Sequence, residues 1–462
     1  MDDADATGRE SGGGISPALF VFAAAGVCLG LSDVWRVPSL LLKYDSLWFP
    51  LVYLAAVVLV GMPLLVAELA LARLGHSHPS TNFGFLVKDT KGGGLWQYAG
   101  IVVLITVILI LFYTTVVAGL MMAYSARAAV GEFHEISPGV ARLMFQSLIT
   151  DPERLLGWHT LFVLALGWVA GRGLEEGLGR VSRGLVLAIF AIAAALVGLA
   201  FYRYGASGLA GLHWTVHGSQ LSVPMVLDAV TQAFFTLGVC MGAMMILGTH
   251  LSPRARLGPL VLGVVGLDTL FVVLACVAVL PVLLDQKVDT EGISFAMETV
   301  PMALSGSLAG RWCLTAFYVL LFMLVATTAL VLMEFLVCWI GEKTGRSRSS
   351  AAHLAAVVVW VGGLLALLSF SAFSFNFEFV GKEKHFGLFD VMDILSARIL
   401  LPVIGLLMTV FVGWRIDRDT FAAATGWGHA AVVLHVLKRY LVPVAVAAVF
   451  AALVFGRMLY RV

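Results

Sequence analysis

Two short stretches of the sequence decide the fold: GVCLG at residues 26–30 and GVCMG at residues 238–242. Each lies in the middle of a long apolar segment, and the two differ only by leucine against methionine at one position. Paired glycines in membrane helices often serve close packing alone, and that alternative stays open at this point. Nearly identical stretches in the two halves of a chain favour discontinuous helices, whose unpaired backbone groups line a cavity.

The composition indicates a protein that resides in a lipid bilayer. Of the 462 residues, 60% are hydrophobic and 12% are charged, whereas an ordinary soluble domain has about 25% charged residues. The 29 basic and 28 acidic side chains nearly cancel, so the charge balance gives no sign of a nucleic-acid partner. The five cysteines lie in apolar stretches without a CxxC pair, and we interpret them as small packing residues.

The predicted fold class is an all-α polytopic membrane protein. A spanning helix needs about 20 mostly apolar residues, and about eleven segments meet this requirement. No linker divides them, so residues 16–462 are predicted to form one transmembrane domain after a flexible cytoplasmic tail at residues 1–15. The predicted spans cover residues 16–42, 47–73, 95–127, 155–171, 184–204, 224–250, 257–284, 309–340, 351–371, 389–414 and 437–458.

The charges of the connecting loops predict the orientation of the chain. Short basic loops at residues 252–258 and 341–350 lie on one side, and mainly acidic loops around 128–153 and 285–308 lie on the other. Because cytoplasmic loops are enriched in lysine and arginine, we expect a cytoplasmic N-terminus in a plasma membrane, the inner membrane of a bacterium.

Some predicted spans contain charged side chains in otherwise apolar surroundings. A charge at the centre of a spanning helix costs roughly 2.5–3.5 kcal/mol unless it is paired or hydrated. Asp33 and Arg36 are three residues apart, so a local ion pair is one explanation. The functional alternative is that Asp33 faces a cation and Arg36 a gate. Asp268 and Glu68 stand in otherwise uncharged surroundings, where a buried carboxylate needs a cation, a proton or a hydrogen-bond donor.

Hydroxyl oxygens also recur in mid-span, at Thr236, Thr327 and Thr328. Hard cations such as sodium prefer oxygen ligands. Most threonines in membrane helices bond to their own helix, so each residue by itself is weak support for a cation site.

Several motifs, in order along the chain, resemble the sodium:neurotransmitter symporter family, in a divergent form of its bacterial leucine-transporter-like branch. GVCLGLSDVWRVP at 26–38 and GMPLLVAELALARLG at 61–75 resemble its first two helices. The sixth, seventh, eighth and tenth helices resemble TQAFFTLGVCMGAMM at 231–245, GLDTL at 266–270, LVATTALVLMEFLVCWIGE at 324–342 and FGLFDVMDILSARILLPVIGLLMTVFVGW at 386–414.

This resemblance implies a fold of two inverted five-helix repeats, about 16–204 and 224–414, with an extra helix at 437–458. It also implies two sodium sites and no organic cofactor. One site would use backbone oxygens of Gly26, Leu29 and Leu324 with the hydroxyls of Thr327 and Thr328. The other would use the Cys28 carbonyl, the Asp33 and Asp268 carboxylates and the Thr236 hydroxyl.

The family's gates and substrate pocket map onto further positions. Arg36 and Asp393 match the outer gate pair, Phe235 the aromatic lid, and Glu342 the acidic partner of the cytoplasmic gate. The N-terminal Arg and Trp of that gate are missing, because the stretch at 11–17 reads SGGGISP. The implied pocket wall consists of Gly30, Leu31, Ser32, Ile110, Thr114, Val117, Phe235, Gly238, Met241, Thr328 and Leu332.

Three departures from the family pattern concern the substrate. Asp33 replaces an Asn, Thr114 replaces a Tyr that binds the substrate carboxylate, and Ser32 replaces a Gly. We therefore hypothesise a substrate that is an unusual amino acid or an amine without a free carboxylate. A second hypothesis is that Asp33, near Asp268, is protonated in part of the cycle, because two close carboxylates do not both ionise cheaply.

The predicted function is sodium-coupled symport of a small amino acid or related amine by alternating access. The alternative is a non-transporting, solute-binding or regulatory membrane protein of the same fold. We do not expect an enzyme. His76 and His78 are interpreted as solvated loop histidines and not as metal ligands, since no further ligands cluster near them.

Overall fold

The architecture is a helical bundle, described here from a computed structural model. The structure describes residues 15–75, 77–87, 94–134, 136–205, 221–252, 255–286, 292–304, 308–371, 374–379, 382–427 and 430–459. Residues 1–14 of the predicted tail and the loop residue His76 lie outside the described residues.

Long apolar helices make up most of the bundle. Within the described residues, nine continuous helices are long and apolar enough to cross a bilayer. Helices suit this setting because every backbone hydrogen bond is made inside the segment. Their bounds are Trp48–Gly75, Gln97–Val130, Pro152–Gly171, Leu174–Tyr204, Leu257–Asp285, Ala309–Thr344, Arg348–Leu368, Leu388–Trp414 and Val432–Phe455.

The first span is a broken helix, formed by Pro17–Cys28 and Leu31–Tyr44 with a bend of 56° between the two halves. The first half begins where the Ser16 hydroxyl accepts a hydrogen bond from the Leu19 N–H, with a proline next in sequence. At the break, the Gly30 N–H donates to the Asp33 carboxylate at 2.9 Å. The carboxylate therefore caps the second half-helix, and this local bond favours the break.

The sixth span is broken more widely, into Val223–Thr236 and Ala243–Thr249. Three residues of the unwound stretch have positive φ: Gly238 at 55°, Cys240 at 70° and Gly242 at 77°. Glycine adopts this conformation at low cost, which is why the glycine pair permits the break. The two pieces are too short to count as continuous spans. With the bent first span, the described residues contain up to ten apolar spans, and two shorter pieces stand where the sixth span was predicted.

Shorter elements connect the spans. Four are helices, Pro79–Val87, Pro138–Ile149, Phe295–Leu304 and Arg418–Thr425. Two antiparallel strands, Ser374–Phe379 and Lys382–Gly387, form a hairpin between the ninth and tenth spans. This hairpin was not predicted from the sequence, because the alternating phenylalanines of the strands were too few to stand out beside longer apolar runs.

The helical bundle has two end faces. We call the end at which the described chain begins the N-terminal face and the other end the opposite face. Ile15, predicted to be the last residue of a flexible tail, is instead buried and pairs with Leu251 in a β-bridge. The Ile15 N–H donates to the His250 carbonyl at 2.9 Å. The start of the first span is thereby attached to the end of the sixth.

Candidate cation and substrate site

The two helix breaks touch one another at mid-depth in the bundle. A Cβ atom on Gly238 would lie 2.7 Å from Val27 Cγ1, and one on Gly26 would lie 2.9 Å from Thr327 Cβ. The Cys28 thiol donates to the Leu237 carbonyl at 3.3 Å. These glycines therefore permit close packing of the helices as well as the helix breaks. Both interpretations of the repeated GVC stretch, packing and discontinuity, apply.

Asp33 is completely buried beside the breaks. Its Oδ1 accepts hydrogen bonds from the Thr236 hydroxyl at 2.9 Å and from Gln232 Nε2 at 3.1 Å, and its Oδ2 accepts from the Gly30 N–H. The local ion pair of Asp33 with Arg36 stays an open alternative. The carboxylate faces the sixth span across the break.

Asp268 on the seventh span is also completely buried, and it shares the hydroxyl of Thr236 with Asp33. That oxygen lies 3.3 Å from both carboxylate oxygens of Asp268. Within the described part of the chain, Thr236 is the one hydrogen-bond donor to Asp268. A hydroxyl has one hydrogen, so it serves one of the two carboxylates at a time. The arrangement consequently requires a further positive partner, either a cation or a proton.

A second cluster of oxygens lies where the first span meets the eighth. The Thr327 hydroxyl lies 2.6 Å from the Gly26 carbonyl and 2.9 Å from the Leu324 carbonyl, and the Thr328 hydroxyl is 3.4 Å from the Leu324 carbonyl. The structure thus brings together four of the five residues predicted for this site. Leu29, the fifth, is buried at the break, and its N–H bonds back to the Ala25 carbonyl.

Glu68 on the second span holds the unwound part of the sixth span. Its buried carboxylate accepts hydrogen bonds from the backbone N–H groups of Cys240 at 2.9 Å and Met245 at 3.3 Å. These donors have no partner in a helix, because the helix is interrupted there. The hydrogen-bond donors that the buried Glu68 carboxylate needs are therefore backbone N–H groups. The role of Glu68 is to stabilise the break in the sixth span.

Two proteins that match most of this sequence are named sodium-dependent transporters. No family model matches the sequence. An uncharacterised sodium-dependent transporter of Bacillus subtilis, YhdH, is 24% identical over 441 residues, which is 94% of this chain and 96% of that protein. An uncharacterised sodium-dependent transporter of Haemophilus influenzae is 23% identical over 407 residues, or 86% of this chain and 87% of that protein.

A solved structure supports the fold. The crystal structure of MhsT in complex with L-phenylalanine matches with a TM-score of 0.81 at 26% identity, over 96% of this chain and 100% of that chain. The chain resembles a divergent sodium:neurotransmitter symporter. The protein has the leucine-transporter fold with discontinuous first and sixth helices, and it is a sodium-coupled membrane transporter and not an enzyme.

The predicted substrate positions stay predictions, and the structure gives their burial. Several are partly exposed: Gly30, Leu31, Ser32, Val117, Phe235, Met241 and Thr328. Ile110, Thr114, Gly238 and Leu332 are buried. Partial exposure in the middle of a bundle is typical of residues that line a water-filled cavity.

Gln232 is a polar residue of this region that the sequence analysis missed. It is completely buried one turn before Thr236, and its Nε2 contacts Asp33 at 3.1 Å and the Ser32 hydroxyl at 3.5 Å. Its Oε1 has no hydrogen-bond partner among the described residues. The position of Gln232 one turn before Thr236 was the available signal, but glutamine carries no charge and did not stand out.

The predicted gate residues lie at different depths. Arg36 lies on the second half of the first span and Asp393 near the start of the tenth, while the half-buried Phe235 ring packs edge-on against Phe234 at 5.3 Å. Pairing of Arg36 with Asp393 stays a prediction. Glu342 is exposed near the end of the eighth span.

The buried acid at the N-terminal face is instead Glu334, which the sequence analysis did not single out. Both of its carboxylate oxygens accept hydrogen bonds from the Arg348 guanidinium, with 3.0 Å between Nη1 and Oε1. His250 Nε2 lies 3.4 Å from Oε1. Since Ile15 bonds to the backbone of His250, these contacts connect the first, sixth, eighth and ninth spans at this face.

His78 is buried and not a solvated loop residue. Its Nε2 lies 3.0 Å from the Phe335 carbonyl, and its Nδ1 accepts from the Ser80 N–H at 3.2 Å. The ring is thus placed as the neutral tautomer with hydrogen on Nε2, and it connects the loop after the second span to the eighth. Burial lowers the pKa of His78 to about 4, although the bond to Phe335 opposes this effect.

The lowered pKa of His78 makes the stability of the transporter depend on pH. Between about pH 4 and pH 6.5 the unfolded chain binds the proton and the folded chain does not, so protonation favours unfolding. We expect the melting temperature to fall on acidification from about pH 7 to pH 5, and to fall less in His78→Asn. The control is His353→Asn, an exposed histidine at the same face, which should keep the full dependence. Equal slopes in all three proteins would contradict the prediction.

Proposed function

We propose that the symporter couples sodium entry to uptake of a small amine, or of an amino acid derivative without a free carboxylate. The observation that carries this proposal is the pair of buried carboxylates, Asp33 and Asp268, that share one hydroxyl at the meeting of the breaks. The orientation, with the N-terminal face in the cytoplasm of a bacterium, and the two sodium sites are part of the proposal.

Charge balance favours a substrate without a carboxylate. Asp33 and Asp268 carry two negative charges if both are ionised, and one sodium ion at this site balances one of them. A substrate carboxylate would add a third negative charge, and two like charges about 4 Å apart repel by roughly 4 kcal/mol at an effective dielectric constant of about 20. An ammonium group would instead be attracted to the site.

The polar atoms of the cavity fit the same substrate class. The Oε1 of Gln232 is a buried acceptor without a partner among the described residues, and the Ser32 hydroxyl lies beside its Nε2. An amine supplies N–H donors to such acceptors, whereas a carboxylate supplies none. Thr114, at the place of the family's carboxylate-binding tyrosine, is buried and offers a short hydroxyl only.

Transport would follow from rocking of the broken helices about the site. Sodium at the Asp33–Asp268 cluster joins the first, sixth and seventh spans, and sodium at the Thr327–Thr328 cluster joins the first and eighth. Both ions therefore favour a state in which the half-helices are held together around the substrate. The driving force is the sodium gradient with the membrane potential, which supplies about 2.3 kcal/mol per charge per 100 mV.

A ligand screen tests this proposal. Purified protein would be heated with amines, amino acid amides and ordinary amino acids, with and without sodium, and the melting temperature measured. We expect sodium-dependent stabilisation by amines or by amides, followed by uptake of the same compounds into proteoliposomes. Tight, sodium-dependent binding of several ordinary neutral amino acids would contradict the proposed substrate class.

Protons should compete with sodium at the carboxylate pair. Without sodium, Asp33 and Asp268 reduce their repulsion by sharing a proton, so the sodium concentration for half-maximal uptake should rise as pH falls. Asp33→Asn removes one of the two charges, and we expect its sodium requirement to change little with pH. Sodium activation curves at several pH values give the comparison. An identical pH dependence of the sodium requirement in wild type and Asp33→Asn would contradict competition between protons and sodium.

A further inference from the structure

A group of metal-ligand side chains lies outside the proposed transport site, at the N-terminal face. His250 follows the sixth span, while Glu334 and Cys338 lie one turn apart on the eighth. The ligand atoms form a small triangle: His250 Nε2 is 3.4 Å from Glu334 Oε1 and 3.8 Å from Cys338 Sγ, and Sγ is 3.1 Å from Oε1. We propose that this triad binds a divalent transition-metal ion of the Zn²⁺ type.

The triangle has the dimensions of one face of a tetrahedral site. Zinc binds sulfur at about 2.3 Å and nitrogen or oxygen at about 2.0–2.2 Å, so tetrahedral ligands are separated by roughly 3.3–3.6 Å. The three observed separations lie within a few tenths of an ångström of that range. Imidazole, thiolate and carboxylate are also the three ligand types that zinc prefers, with the fourth position left to water.

The site is accessible and already partly ordered. Glu334 is completely buried, whereas the His250 side chain is 25% exposed and Cys338 is partly exposed, so an ion can enter from the N-terminal face. The Cys338 thiol now donates to Oε1 of Glu334. Metal binding would replace that hydrogen bond by a sulfur–metal bond, and the thiol proton would be released to solvent.

Arg348 is the natural competitor of the metal. Its guanidinium occupies both oxygens of Glu334, and a metal ion would take Oε1 while Arg348 keeps Oε2. The positive charge of Arg348 opposes a second cation, so the metal affinity is limited by this residue. Removing that charge should therefore tighten metal binding, although it removes an ion pair from the fold.

A bound ion would act as an inhibitor of the proposed transport cycle. It would tie the end of the sixth span to the eighth, and the His250 carbonyl also holds the Ile15 N–H. Opening of the N-terminal face requires these elements to separate. This consequence rests on the proposed function, whereas metal binding itself does not.

Zinc titration of the purified full-length protein, against a chromogenic chelator, tests the binding site. We expect one Zn²⁺ per chain in wild type. His250→Gln and Cys338→Ala should each weaken binding by at least roughly tenfold, the loss found when even an indirect partner of a metal ligand is removed. His353→Gln at the same face should leave the affinity unchanged. Equal zinc affinity in wild type, His250→Gln and Cys338→Ala would overturn the proposal.

Two further measurements separate a metal site from a structural ion-pair cluster. Arg348→Gln should bind zinc more tightly and Arg348→Lys should not; weaker binding in Arg348→Gln would contradict the geometry. Zinc should also slow alkylation of Cys338 by a maleimide, which is read without transport. Zinc binding without inhibition of uptake would overturn the inhibitory role and leave the metal site intact, while uptake itself tests the proposed function.

Discussion

Asp268→Ala is expected to abolish sodium-dependent uptake. The substitution removes one of the two carboxylates at the first proposed cation site and leaves Asp33 as the one carboxylate bonded to the Thr236 hydroxyl. Loss of one partner in a buried charged cluster costs about 3–5 kcal/mol, which corresponds to roughly 100-fold or more in sodium affinity. Uptake into proteoliposomes at saturating substrate, measured against sodium concentration, gives the result.

The conservative change and a surface control sharpen this prediction. Asp268→Asn keeps an oxygen ligand but loses the charge, so its sodium requirement should lie between those of wild type and Asp268→Ala. Glu176→Ala removes an exposed carboxylate of a surface ion pair and should leave uptake unchanged. Wild-type sodium dependence in Asp268→Ala would show that the cation binds elsewhere.

The second large effect is expected from Glu68→Ala, and it acts on folding as well as on transport. Without the carboxylate, the N–H groups of Cys240 and Met245 lose their buried acceptor. Each unsatisfied buried donor costs about 1–3 kcal/mol, so the unwound part of the sixth span should lose much of its stability. We expect a clearly lower melting temperature and little remaining uptake.

Glu68→Gln is the matched variant for this prediction. Glutamine keeps one acceptor oxygen at nearly the same place, so it should retain part of the stability and of the uptake. Melting can be followed by tryptophan fluorescence in detergent, with Glu176→Ala as the surface control. A melting temperature of Glu68→Ala equal to that of wild type would show that Glu68 does not hold the break.

The helix breaks and the buried acidic cluster could be predicted from the sequence for a physical reason. Charges and glycine pairs are expensive inside spanning helices, so Asp33, Asp268 and the two GVC motifs stood out against apolar surroundings. Their position in matching halves of the chain indicated one common site. The structure brings both Asp33 and Asp268 within hydrogen-bonding distance of the Thr236 hydroxyl.

Other features depend on contacts that the sequence does not display. Gln232 and Glu334 gain their surroundings from helices far away along the chain, and Arg348 looked like an ordinary basic residue of a loop. His78 was interpreted as solvated because loops usually face water, yet it packs against Phe335 on the eighth span. In each case the environment of the residue depends on tertiary packing, which the local sequence pattern does not indicate.

We propose that the two helix breaks create two cation sites, and equilibrium binding of radioactive sodium to purified protein counts these sites. We predict two sodium ions per chain in wild type, one in Asp268→Ala, one in Thr327→Ala combined with Thr328→Ala, and none when all three changes are combined. Unchanged stoichiometry in both single-site variants would show that the sodium ions bind elsewhere.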